Sequence, residues 1–186
     1  MPELKVKKFS LAKKLPENVL SIDLGKSNGF AYIKDSILHC GSYVLGVEKW
    51  KLNGETLRQI SYEYQGVIAL LLHESPELDL VLLEDNQYFF QQKYIKGSHM
   101  SYYKKLQIIA EGLFCMHWPG KVKRYLGGSL KVRCFGSARK EIVKERIKKM
   151  LNVSRLCDHT ADSVAGLFAA EPPCIMPTNV AAEKEE

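Results

Sequence analysis

The chain has 186 residues, 46% of them hydrophobic and 26% charged, which suits one globular domain with a sizeable core and excludes a disordered or low-complexity chain. Lys plus Arg outnumber Asp plus Glu by 27 to 21, a formal net charge of +6 that favours polyanionic partners without specifying one. Five scattered cysteines (Cys40, Cys115, Cys134, Cys157 and Cys174) and no recognisable secretory signal argue against a disulfide framework and for a reducing intracellular compartment, and the longest apolar run, Val67 to Leu72, is too short to span a bilayer.

Residues 1–17 carry Lys5, Lys7, Lys8, Lys13 and Lys14 and read as a basic arm, solvated or touching nucleic acid. Residues 18–170 read as the folded domain, and 171–186, with Pro172, Pro173 and Pro177 and a charged end, as a flexible tail. Within the domain, NVLSIDLGK, GFAYIK and ILHCGSYVL are three β-rich runs divided by turn residues, the pattern of an antiparallel meander. Leu57, Ile60, Tyr64, Val67, Ile68, Leu71 and Leu72 then recur at three-to-four spacing and predict a helix beginning near Gly54.

LDLVLLEDN is a continuous apolar run, as in a strand buried on both faces, and it ends in acidic and amide residues where open α/β sheets place their sites. Gly97 to Met100 reads as a loop, Ser101 to His117 as a helix, and KVKRYL with LKVRCF as a further strand region. A strongly basic helix from Ser137 to Leu151 and a last helix from about His159 to Ala170 complete the order.

Three places carry candidate chemistry. Asp23, in LSIDLG, is an acid inside an apolar strand, where an unpaired buried charge costs several kcal/mol and needs a metal ion, a turn or another compensation. Gly25 and Asn28-Gly29 beside it leave room for a phosphate to approach. Glu84 repeats the anomaly at the end of the second apolar strand, while alternation turns Asp85 to the opposite face. In DHTADS, His159 and Asp162 share a helical face, and Asp158, four residues before Asp162, reads either as the helix N-cap or as an alternative ligand. Such carboxylates suit Mg²⁺, and two ions about 3.5–4 Å apart can activate water and stabilise a departing oxygen. Lys140, Lys144 and Lys148 fall four apart on one helix, a face either merely solvated or in contact with phosphate. The pairs Cys115/His117 and Cys157/His159 lack a common zinc spacing, and buried free cysteines explain them better.

An Asp on the first strand, a Glu on the later buried strand and an HxxD pair opening the last helix resemble, in that order, the RuvC family of Holliday junction resolvases in the ribonuclease H-like superfamily. Gly136-Ser137-Ala138-Arg139-Lys140 is similar to that family's glycine-serine-alanine stretch before a basic helix. The resemblance covers about residues 18 to 170. It implies an α/β fold with a five-stranded mixed sheet, an antiparallel meander followed by parallel strands, flanked by helices. It implies catalysis by Asp23, Glu84, His159, Asp162 and Lys140, with Asp23, Glu84, His159 and Asp162 holding two Mg²⁺ ions that Mn²⁺ can replace, and Asp158 the alternative ligand. A second cation on the preceding strand would be Lys131 or Arg133. DNA contacts would come from Lys131, Arg133, Arg139 and Lys144, and from Tyr88, Phe89 and Phe90, which either wedge into the opened junction or pack in a dimer interface. The implied protein is a homodimer, paired through the helix near Ser101, that nicks four-way junctions symmetrically. A viral or phage member would act in the cytoplasm or where that DNA replicates. A broader branched-DNA or flap nuclease, a ribonuclease H and a non-catalytic junction-binding protein are the alternatives.

Overall fold

The computed structural model describes residues 5–10, 17–25, 27–46, 53–74, 77–85 and 97–170; Tyr88, Phe89, Phe90 and the proposed tail 171–186 lie outside the described residues. The meander forms as its turn chemistry dictates. Strands β2 (Val19–Asp23), β3 (Ser27–Lys34) and β4 (Ile37–Val44) pair antiparallel. Asp35 and Ser36 join the last two with φ of 53° and 61°, the double left-handed turn whose twist matches paired strands.

A sixth strand corrects the five-strand expectation. Strand β1 (Lys5–Ser10) pairs antiparallel with β4, Lys5 opposite Ser42, so part of the segment read as a basic arm belongs to the sheet. Its lysines misled the reading because they serve an edge strand, where charge discourages pairing with another chain. Strand β5 (Leu80–Glu84) runs parallel to β2 and β6 (Val122–Tyr125) parallel to β5, giving the order β1-β4-β3-β2-β5-β6.

Strand alternation divides the core. Leu20, Ile22, Val81 and Leu83 face helices α1 (Gly54–Glu74) and α2 (Gly97–His117), against Ile60, Tyr64, Ile68, Leu106 and Phe114. Val19, Ala31 and Leu82 face the other layer, of α3 (Gly127–Phe135), α4 (Lys140–Leu151) and α5 (Asp158–Leu167), closed by a 3₁₀ turn at Phe168–Ala170. Alternation along each strand therefore puts Asp23 on the face of Val19 and Glu84 on the face of Leu82, towards α5, and Asp85 on the side of Gln107 in α2, whose Nε2 approaches it at 3.5 Å.

The remaining boundaries shift for physical reasons. LKVRCF is helical: Leu130, Cys134 and Phe135 turn to the core at helical spacing, while Val132, which period-two alternation would bury, is 52% exposed. Helix α2 starts at Gly97 instead of Ser101, α4 starts at Lys140 instead of Ser137, and the last helix ends at Leu167.

Helix α5 lies exceptionally close to the sheet because glycines face it. A Cβ on Gly29 would stand 1.8 Å from the His159 carbonyl oxygen, and one on Gly166 would stand 2.0 Å from Ser21 Oγ. The space expected to admit a phosphate at Gly29 is thus filled by α5 backbone. Gly166→Ala should destabilise the fold by about 1–3 kcal/mol through this overpacking. Gly66→Ala, in α1 with no atom within 4 Å of the added carbon, should stabilise it by about 0.5–1 kcal/mol. Urea-unfolding midpoints of the two variants test the contrast.

Candidate active site

The carboxyl ends of the neighbouring parallel strands β2 and β5 point the same way, and the pairing of Ile22 with Leu83 sets Asp23 and Glu84 side by side one residue later. The turn after Asp23 is pinned by Asn28, fully buried, whose Oδ1 accepts the Gly25 N–H at 3.1 Å and the Tyr64 hydroxyl at 2.9 Å. Helix α5 then lowers its first turn over both strands. His159 Nδ1–H donates to Asp23 Oδ2 at 2.8 Å, which leaves Nε2 as the remaining donor atom of the ring.

Across this floor runs an alternating chain of acids and lysines. Lys131 Nζ lies 3.2 Å from Glu84 Oε1 and 2.8 Å from Asp162 Oδ1. Lys140 Nζ lies 3.3 Å from Asp162 Oδ2 and 3.5 Å from Asp158 Oδ2, and Lys144 Nζ closes the chain 2.6 Å from Asp158 Oδ1. Asp162 is buried, with a side-chain exposure of 9%, and Lys131 and Glu84 are nearly so at 12% and 14%, while Lys140 and Asp158 are each 45% exposed.

The electrostatics follow from crowding. Burial pushes the Glu84 carboxyl up to about 7; Lys131 opposes this, and the neighbouring charges of Asp23 and Asp162 add to it. Burial pulls the Lys131 ammonium down, but Glu84 and Asp162 outweigh it and hold the group above its ordinary value. His159 is raised by its hydrogen bond to Asp23, and Asp158 is lowered chiefly by Lys144.

Asp23, Glu84, His159, Asp162 and Lys140 come together, and of the pair Lys131 and Arg133 it is Lys131 that reaches the acids, from a helix and not from the expected strand. Arg133 instead lines a separate cavity of about 420 Å³ with Leu82, Lys123, Arg124 and Ala170. Arg139 is exposed immediately before α4, and Lys144 engages Asp158. Of the expected cationic face, Lys148 pairs with Glu145. Asp158 is not the N-cap: Cys157 is, its Sγ accepting the Thr160 N–H at 3.4 Å, and Asp158 is freed to bind the two lysines. Sequence reasoning missed that cap because thiols are uncommon there, and it missed the buried role of Asn28, whose only signal was an amide in a glycine-rich turn.

Among the described residues no three His, Cys, Asp or Glu side chains stand ready to hold a metal ion. The donor set nonetheless fits a hard divalent cation. Asp23 with His159 and Glu84 with Asp162 stand at neighbouring strand ends, all oxygen or imidazole donors, and the raised proton affinity of Glu84, set first by burial and then by the charges of Asp23 and Asp162, is what a bound cation would relieve.

The architecture is a ribonuclease H-like mixed α/β fold, with acids at the ends of adjacent strands and on the covering helix. A scan of protein-family models finds no match, and a search of curated proteins finds none. Among solved structures the chain is similar to the Thermus thermophilus RuvC structure, with a TM-score of 0.57 and 20% identity over 82% of this chain and 92% of that one. It is similar to T. thermophilus RuvC in complex with Holliday junction substrate, with a TM-score of 0.56, 20% identity and the same 82% and 92% coverage. It is also similar to the yeast mitochondrial Holliday junction resolvase, Ydc2, with a TM-score of 0.51 and 16% identity over 84% of this chain and 79% of that one. The fold is therefore RuvC-like.

The raised Glu84 carboxyl makes stability depend on pH. Between about pH 4.5 and 7 the folded state keeps a proton that the unfolded state has released, so stability falls as pH rises through that window and then levels off. In EDTA, Glu84→Gln should match the wild type near pH 4.5 and exceed its stability by roughly 1–3 kcal/mol at pH 8. Urea unfolding at the two pH values measures this, and a pH-independent difference would contradict it.

Proposed function

We propose that this protein is a metal-dependent endodeoxyribonuclease that resolves four-way DNA junctions by paired symmetric nicks. One observation carries the reading: on a RuvC-like fold, Asp23, Glu84, His159 and Asp162 converge at the ends of β2 and β5 with Lys131 and Lys140 between and beside them. One of the similar structures is described as RuvC in complex with Holliday junction substrate, and the net charge of +6 suits a polyanion.

In this reading Asp23, Glu84, Asp162 and His159 hold Mg²⁺, or Mn²⁺ in its place, with two ions in all. Such ions, when bound, lower the pKa of a water nucleophile and neutralise charge on the departing oxygen. The Asp23 carboxylate fixes the His159 ring, so that Nε2 meets a ligand in one orientation. Lys140, still 45% exposed, is placed to counter the charge that accumulates on the phosphate in the transition state. Lys144 and Arg139 extend that cationic margin towards a backbone phosphate. Homodimerisation would supply the second active site that symmetric nicks require, and α2, with Ile108 63% and Met116 77% exposed, offers an apolar surface for it.

A non-catalytic junction-binding protein is the second reading, favoured by one feature: lysines already occupy the oxygens of Glu84 and Asp162.

Synthetic four-way junctions, flaps, linear duplexes and RNA–DNA hybrids, incubated with Mg²⁺ or EDTA, decide among these. The proposal expects paired nicks on the junction, abolished by EDTA, reduced more than about hundredfold in Asp23→Asn, and reduced about hundredfold in Lys140→Ala. Equal cutting of flaps would indicate the broader nuclease, and tight junction binding without cleavage the non-catalytic protein.

A further inference from the structure

We infer that Lys131 is an exchangeable internal counter-cation, competing with a divalent ion for Glu84 and Asp162, so that ion binding requires its ammonium to leave. The inference rests on the metal-dependent reading above.

The geometry is specific. Gly127 and Lys131 are four residues apart on α3 and so lie on the same face of the helix. A Cβ on Gly127 would stand 1.7 Å from Glu84 Oε1, so the first turn of α3 is pressed directly onto that carboxylate. One turn later Lys131 Nζ bridges the same Oε1 at 3.2 Å and Asp162 Oδ1 at 2.8 Å. Asp162 has its second oxygen on Lys140 at 3.3 Å. Lys131, Glu84 and Asp162 are each no more than 14% exposed, so water is a poor substitute for the lysine as partner of the two acids.

Two nearly buried carboxylates held together need a cation, and among the described residues Lys131 is the one that bridges both, Lys140 reaching Asp162 alone. A divalent ion brings twice the charge to the same oxygens, and an ammonium on a flexible four-carbon stem can swing away to make room. Arginine at this position could not yield so readily, because its planar fork would take both carboxylates by paired hydrogen bonds. The exchange also frees an ammonium beside the cluster when the ion arrives, which ties the appearance of a phosphate-seeking cation to metal loading.

Titration of DNA-free protein with Mn²⁺ by calorimetry, with thermal melts in EDTA and in Mn²⁺ alongside, tests this without reference to cleavage. Lys131→Met should bind Mn²⁺ about tenfold or more tighter than the wild type, melt lower in EDTA and recover in Mn²⁺. Lys131→Arg, which keeps the charge, should bind Mn²⁺ more weakly, and it keeps the test decisive if Lys131→Met does not fold. Wild-type binding that Lys131→Met leaves equal or weakens, or that Lys131→Arg leaves equal or tightens, overturns the inference and leaves the nuclease reading standing. Binding seen only in Lys131→Met supports the exchange and overturns the catalytic reading. No binding in any of the three overturns both.

Discussion

Everything at this site depends on keeping several carboxylates together where water is scarce. Glu84 and Asp162 are nearly excluded from solvent and Asp23 is close by, an arrangement that mutual repulsion and desolvation would break apart if nothing intervened. The structure meets the problem with cations drawn from three helices. Lys131 from α3 joins Glu84 to Asp162, Lys140 and Lys144 from α4 hold the acids of α5, and His159 of α5 hydrogen-bonds Asp23, so Lys131 and His159 tie the helical layer to the strand ends by polar contacts as well as by packing.

The close seat of α5 is what lets this work. Gly29 and Gly166 admit the helix to a distance at which no side chain could stand between it and the sheet, and Cys157 caps its first turn, leaving Asp158, His159 and Asp162 free to point elsewhere. His159 and Asp162 turn to the strand ends, and Asp158 turns to α4. Packing thus decides which acid of the DHTAD segment joins the cluster, and it favours Asp162 over Asp158.

The sequence made much of this legible. The meander, the long amphipathic helix and the apolar strand ending in Glu84 are strong periodic signals, and acids inside apolar strands announce themselves. The illegible parts share one cause, which is that their meaning lies in a partner distant in the chain. Lys5–Ser10 looks like a solvated arm until β4 is beside it, and LKVRCF fits period two as well as a helix until Leu130 and Phe135 find α5 and the 3₁₀ turn. Lys131 and Arg133 could not be separated by spacing. What separates them is the contact of Gly127 with Glu84, 43 positions away in sequence, which sets the face of α3 that looks inward.

The alternating chain also sorts its own exchange partners by depth. Its outer link, Asp158 with Lys140 and Lys144, is well exposed, so salt screens it and a nucleic-acid phosphate can compete for both lysines at little cost. Its inner link, Glu84 and Asp162 with Lys131, is shielded from salt and yields only to a cation strong enough to replace the ammonium. Lys140 touches both Asp158 and Asp162, so it joins the two regimes. Drawing it towards a phosphate removes a cation from Asp162 and strengthens the demand of the inner carboxylates for an ion. On the proposed reading, substrate phosphate and metal therefore reinforce each other's binding through one lysine.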